Sequence, residues 1–200
     1  MSKKTSQSIS RPPDAVKMLK ADHKLIKKMF DQFNVASADE KTDLANRLCI
    51  ELTIHATLEE ELFYPAVRRK LNPPDVLGSS IEKNGVDMSE TGEEEKQGLD
   101  GGRLDGMNMQ VDEEEDNEDV IAQAYEEHQT VEALIEQLKT LDSRGSDYRK
   151  LFMQLEDAVL EHIAGEEADI LPLAASELDV QALGVAMQRR RDGLTPSLAA

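Results

Sequence analysis

Two short stretches decide the fold: His55-Ala56-Thr57-Leu58-Glu59-Glu60 and His162-Ile163-Ala164-Gly165-Glu166-Glu167. Each has a histidine, a glutamate four residues on and a second glutamate beside it. A proline follows each histidine ten residues later, Pro65 in one and Pro172 in the other. Upstream lie matching acid-histidine pairs, Asp22-His23 and Glu127-His128, set 32 and 34 residues before the histidines of the two stretches. The chain therefore reads as a duplicated helical hairpin whose four histidines all occupy corresponding positions.

The apolar residues around these histidines repeat with helical spacing. A first helix opens at Pro12, Pro13 and Asp14, where a proline removes no needed hydrogen bond. It carries Val16, Leu19, Ile26, Phe30 and Phe33, with His23 in the same stripe. A second starts at a capping box, Ser37 with Glu40, and shows Leu44, Leu48, Leu52, Leu62 and Ala66. His55 and Glu59 fill the gap in that stripe, and Pro65, then Pro73 and Pro74, are expected to end or kink the helix. A third carries Ile121, Tyr125, Val131, Leu134, Ile135 and Leu138 with His128 in register, and Gly145-Ser146 marks its break. The fourth runs through Phe152, Leu155, Val159, Ile170 and Leu173, with His162 and Glu166 in the seam. A short fifth helix is expected from Ser176, capped with Asp179, with Leu178, Ala182 and Val185 as its apolar face. Arg189 to Arg191 then read as favourable charge at its C-terminal dipole, and Gly193 to Ala200 as a frayed end.

With aromatics at 4%, no Trp and no alternating β-branched run, strands are not expected. The fold class is all-α: an up-down-up-down four-helix bundle with a short extra C-terminal helix. Residues 1–12 are expected to be a flexible tail, 13–175 the bundle and 176–200 the extra helix and tail. Residues 73–119 differ from the rest, with 16 acidic residues against three basic and seven of the 11 glycines. Such a segment buries too little apolar surface to offset its ordering entropy. A disordered acidic insertion is expected at about 74–116, giving way to helix where acids suit an N-terminus.

A net charge of -18, from 41 acidic and 23 basic residues, repels nucleic acid and anionic membranes. No apolar run approaches the roughly 18 residues of a membrane helix, and Met1 to Ser10 lacks a signal-peptide core. A cytoplasmic location is expected. The lone Cys49 fits a reducing compartment and reads as a small helix-buried residue.

Glutamates in an apolar seam need a reason, because an unpaired buried carboxylate costs several kcal/mol. A metal cation removes that penalty. Residues four apart on a helix share a face about 6 Å apart along the axis, so His55 with Glu59 and His162 with Glu166 can each reach one metal cluster. Bundle cores build dinuclear carboxylate sites in this way, and imidazole with carboxylate suits iron. The expected ligands are His23, His55, His128 and His162 as terminal imidazoles, with Glu59 and Glu166 bridging.

This pattern, His23, His55xxxGlu59, His128, His162xxxGlu166, resembles the hemerythrin-like domains of the HHE cation-binding family over about Asp14 to Leu173. The resemblance implies a non-haem di-iron centre of two iron ions that senses, binds or scavenges oxygen, peroxide or nitric oxide, a chemistry tied to oxidative stress. Oxygen-carrying members have five histidine ligands, with a HisxxxHis pair on the third helix. Here that pair is His128 with Glu132, and a more carboxylate-rich shell favours the oxidised metal over reversible carriage. Glu167 keeps the carriers' longer spacing and stands as an alternative to Glu166. Two other functions fit the chain: a di-iron enzyme that decomposes peroxide, and a metal-free helical interaction module with hydrogen-bonded core histidines.

Overall fold

The computed structural model describes residues 13–71 and 113–198, with side chains for 13–71 and 120–195. Among them there is no strand. Helix α1 spans Ala15–Val35, α2 Ala38–Leu58, α3 Tyr64–Leu71, α4 Glu113–Thr140, α5 Ser146–Gly165, α6 Leu171–Glu177 and α7 Val180–Leu198. The acidic insertion falls almost wholly outside the described residues, and α4 begins at Glu113, somewhat before the expected Asp116.

Local chemistry sets the ends. Asp14 caps α1 by accepting the Lys17 amide at 3.1 Å, and Glu40 accepts the Ser37 amide at 3.0 Å and its hydroxyl at 2.6 Å. Pro65 does not end the second helix. A π turn, Glu59–Phe63, joins α2 to α3, with the Tyr64 amide reaching back five residues to the Glu59 carbonyl. Widening one turn accommodates a proline that has no N–H and would crowd the carbonyl four residues back. The Glu60 carbonyl, which neither Tyr64 nor Pro65 serves, accepts the Tyr125 hydroxyl at 3.3 Å. The second half repeats the device: a π turn at Glu166–Ile170, with the Leu171 amide bonded to the Glu166 carbonyl, precedes Pro172. Both π turns start on a seam glutamate.

The four main helices form a ring in which α1 lies against α2 and α5, and α4 against the same two. Two apolar clusters fill it. One holds Phe30, Phe33, Leu48, Ile135, Phe152 and Leu155, and the other Leu19, Leu58, Phe63, Tyr64, Ile121 and Leu171. The four histidines, Glu59 and Glu166 are all buried alongside them.

The C-terminal region departs from expectation. Ser176 belongs to the last turn of α6, and α7 starts later, with Asp179 accepting the Ala182 amide at 3.0 Å. α7 is no short helix and runs on to Leu198. Its buried residues are Gly184 and Met187, while Ala182 is exposed. Gly184 lies against the start of α1, where a Cβ would sit 2.3 Å from the Pro13 carbonyl oxygen. Val180, Leu183, Met187 and Leu194 pack α7 against the core beside α1 and α2. Arg189 to Arg191 therefore sit inside the helix rather than at its end. Arg190 pairs with Glu61 at 2.5 and 2.7 Å, and Arg191 pairs with Asp22. No single helix is long and apolar enough to cross a membrane among the described residues.

Candidate metal centre

Each main helix carries one histidine into the same layer, and the turns that begin at Glu59 and Glu166 carry the two carboxylates. The structure brings all six expected ligands together. His23, His55, Glu59 and Glu166 offer ligand atoms within 4.8 Å of one another, and Glu59, His128 and His162 form a second such group. Glu59 belongs to the first group and the second. None of the six exceeds 5% exposure, so bulk solvent does not supply their missing partners.

The duplication appears in the geometry as a near-twofold arrangement. His55 Nε2 lies 3.2 Å from Glu59 Oε1, and His23 Nε2 lies 3.2 Å from Glu166 Oε2. Across the centre, His128 Nε2 is 3.3 Å from Glu59 Oε2 and His162 Nε2 is 3.7 Å from Glu166 Oε2. His128 Nε2 and His162 Nε2 are only 3.1 Å apart.

The outer ring nitrogens show why these contacts are not ordinary hydrogen bonds. His23 Nδ1 meets Glu167 Oε1 at 2.9 Å, His128 Nδ1 meets Glu60 Oε1 at 2.8 Å, and His162 Nδ1 meets Glu127 Oε2 at 2.9 Å. An ionised carboxylate only accepts, so these three imidazoles carry their proton on Nδ1 and turn the Nε2 lone pair inward. Lone pairs then face lone pairs. His23 Nε2, His55 Nε2, both Glu59 oxygens and Glu166 Oε2 have no hydrogen-bond partner. Buried atoms of this kind are costly without a cation, and imidazole nitrogens with carboxylate oxygens form a donor set that a transition metal fits. An outer carboxylate on the far nitrogen is the usual second shell of a metal-ligating histidine.

Electrostatics point the same way. Burial lowers the His55 pKa, and burial with the neighbouring His162 and His55 lowers that of His128 to about 3. Both rings therefore remain neutral donors. Burial, then the charge of Glu166, pushes the Glu59 carboxyl well above its ordinary range. Burial opposes ionisation of Glu166 as well, but the close contact with His23 and the surrounding imidazoles outweighs it and lowers its pKa. Without a cation, the two carboxylates favour holding a proton between them.

Several functional residues escaped the sequence reading. Tyr64 donates its hydroxyl to Glu166 Oε1 at 2.8 Å and lies 3.4 Å from His128 Nε2. Burial, then the charges of Glu59 and Glu166, raises its pKa, which keeps that proton in place. In the other half Leu171, also buried, occupies the matching position, so the twofold match fails there. Asp22, Glu60 and Glu127 were visible as repeated acids beside the motif but had no stated role. Glu167, weighed as an alternative ligand, instead binds the outer nitrogen of His23 and has a half-exposed side chain. Glu132 is exposed and lines a groove of about 260 Å³ between α2 and α4 that also reaches Glu60 and His128. A larger groove, about 510 Å³, lies further along the same helices around Cys49, away from the ligand groups. Burial raises the Cys49 thiol pKa to about 11, as suits a passive packing residue.

The Hemerythrin HHE cation binding domain family matches residues 14–81 and 105–174. Among solved structures, a hemerythrin HHE cation binding domain-containing protein from Mycobacterium kansasii has a similar fold. The TM-score is 0.61 and the identity 19%, over 94% of this chain and 93% of that one. No curated protein matches the sequence.

Proposed function

This chain belongs to the hemerythrin HHE cation-binding family, and on that premise we propose that it is a non-haem di-iron protein that binds and scavenges oxygen, peroxide or nitric oxide. The observation that supports this reading is the convergence of inward-facing Nε2 lone pairs and carboxylate oxygens that lack hydrogen-bond partners. His23 and His55 would hold one ion, His128 and His162 the other, with Glu59 and Glu166 spanning both. Iron ions held there would supply electrons and open coordination positions to a small oxidant.

The chain's own residues do the rest. The apolar clusters exclude bulk water from the layer, and the groove that reaches His128 is of a size for small molecules. Tyr64 holds a proton at its hydroxyl 2.8 Å from Glu166. A hydroxyl donor at the site favours a second reading, turnover of peroxide, because a hydrogen bond to an oxygen held there would stabilise the negative charge that develops as an O–O bond breaks.

Elemental analysis after expression in supplemented medium is expected to give close to two iron ions per chain. Near-zero iron, manganese and zinc would sink the proposal. Stopped-flow mixing of the reduced, iron-loaded protein with each oxidant then separates the readings: binding gives one stable adduct, whereas turnover consumes peroxide repeatedly.

A further inference from the structure

The fourth imidazole breaks the outer pattern. Three histidines hold a carboxylate at 2.8–2.9 Å on Nδ1, but His55 Nδ1 lies 3.7 Å from Asp22 Oδ2 and has no hydrogen-bond partner. The Asp22 carboxylate is taken up on its other side by Arg191 of α7. Arg191 Nη1 donates to Oδ1 at 2.8 Å, and Nη2 donates to Oδ2, the oxygen that faces His55. The matching residue in the other half, Glu127, bonds His162 closely, and its second oxygen meets only the neutral amide of Gln123 at 2.8 Å. α7 has no counterpart in the duplicated hairpin.

We propose that Arg191 is a positioning residue that withholds Asp22 from His55, so that the metal position bounded by His23 and His55 is the weaker and more readily exchanged of the two. This rests on the di-iron reading above. A ligating histidine without an outer acceptor is free to turn and is a less basic donor, and an outer-shell partner is worth roughly 10–100-fold in metal affinity. A bidentate guanidinium competes strongly for a carboxylate. Both positions draw on two imidazoles and Glu59, and the one bounded by His23 and His55 has Glu166 within reach as well, so its weakness is set by a helix outside the repeat rather than by a shortage of ligands.

Titration of the metal-free protein with Co(II) tests this. The wild type is expected to bind two ions in separate steps, with His55→Ala removing the weaker step and His162→Ala the tighter one. Arg191→Met keeps most of the stem and releases Asp22, and it should tighten the weaker step about tenfold while leaving the other unchanged. Arg191→Lys, which keeps a cation beside Asp22, should stay near wild type. Arg190→Met, which breaks only the contact with Glu61, should also leave both steps alone. A second readout is the set of paramagnetically shifted Nδ1–H proton resonances of the Co(II)-loaded protein. Three should exchange slowly with solvent in the wild type, and a fourth, from His55, should join them in Arg191→Met.

Unchanged loading with no fourth slow resonance in Arg191→Met would overturn the inference alone, leaving the shorter side chain of Asp22 as the cause of the gap. A weakened step would also overturn it, because Arg191 would then be steadying Asp22 for His55. Failure of the wild type to bind two ions would overturn the di-iron reading, and this inference with it.

Discussion

Glu59 and Glu60 are neighbours with different surroundings: Glu59 is fully buried with both oxygens unpaired, whereas the Glu60 side chain is 42% exposed and binds the outer nitrogen of His128. On the di-iron reading, Glu59→Gln would remove an anion from between two cations, which neutral imidazoles cannot replace. Metal occupancy measured by elemental analysis should fall well below two ions per chain, and the same is expected of Glu166→Gln. Glu60→Gln should still load fully at saturating metal, with affinity lowered on the order of tenfold. Equal loss from the two neighbours would show that the seam register is wrong. Protonation gives a second expectation. In the metal-free protein the raised Glu59 pKa means that the folded state holds a proton the unfolded chain has released, so the contribution of this carboxyl to stability falls as pH rises above about 4.5, while the lowered pKa values of His55 and His128 act in the opposite sense below about 6.5. Binding a cation displaces that proton, while His128 stays unprotonated down to about 3. The gain in melting temperature on adding metal should therefore grow from pH 5 to pH 7, and a gain independent of pH would refute this account. The candidate ligands were legible because residue type, spacing and apolar register coincide at His23, His55, His128 and His162. Their outer partners were not: Glu167 reaches His23 across 144 residues of sequence, a contact that no local period reveals.

Among the elements, α7 was the least legible. Its inward face is Val180, Leu183, Met187 and Leu194, one register away from the Leu178, Ala182 and Val185 expected, and its arginines suggested a helix end because their acidic partners lie on distant segments. Pro65 was misleading as a helix end, since a π turn lets the second helix run past it, just as the fourth passes Pro172 on the way to Leu173. Gly184 has a testable role in holding α7 to the bundle. Alanine normally favours a helix over glycine by about 1 kcal/mol. Here the added carbon would meet backbone at 2.3 Å, and backbone cannot swing aside as a side chain can. Overpacking costs about 1–3 kcal/mol and should win. Denaturant melts of Gly184→Ala are expected to show net destabilisation, and a more stable variant would mean that the α1–α7 contact yields easily.

The whole molecule divides its charge unevenly. Residues 73–119 carry 13 of the 18 net negative charges and no aromatic residue, while the described cores are built from the helices on either side. Joining residue 73 to residue 113 by a short flexible linker should leave helicity and metal content nearly unchanged, as read by circular dichroism and elemental analysis. Loss of stoichiometric metal would assign ligands or a cover to the acidic segment. The general architecture was legible because the same hairpin is written twice, and a register error in one half would have been exposed by the other.

On the metal-binding reading, the burial of the six candidate ligand residues would also govern the timing of exchange. With none of the ligands more than 5% exposed, a chelator cannot touch a bound ion until part of the bundle parts. Removal of metal should therefore reach a ceiling rate that stays constant however much chelator is added. That ceiling measures how often the helices open, which makes the ion a clock for the breathing of the fold.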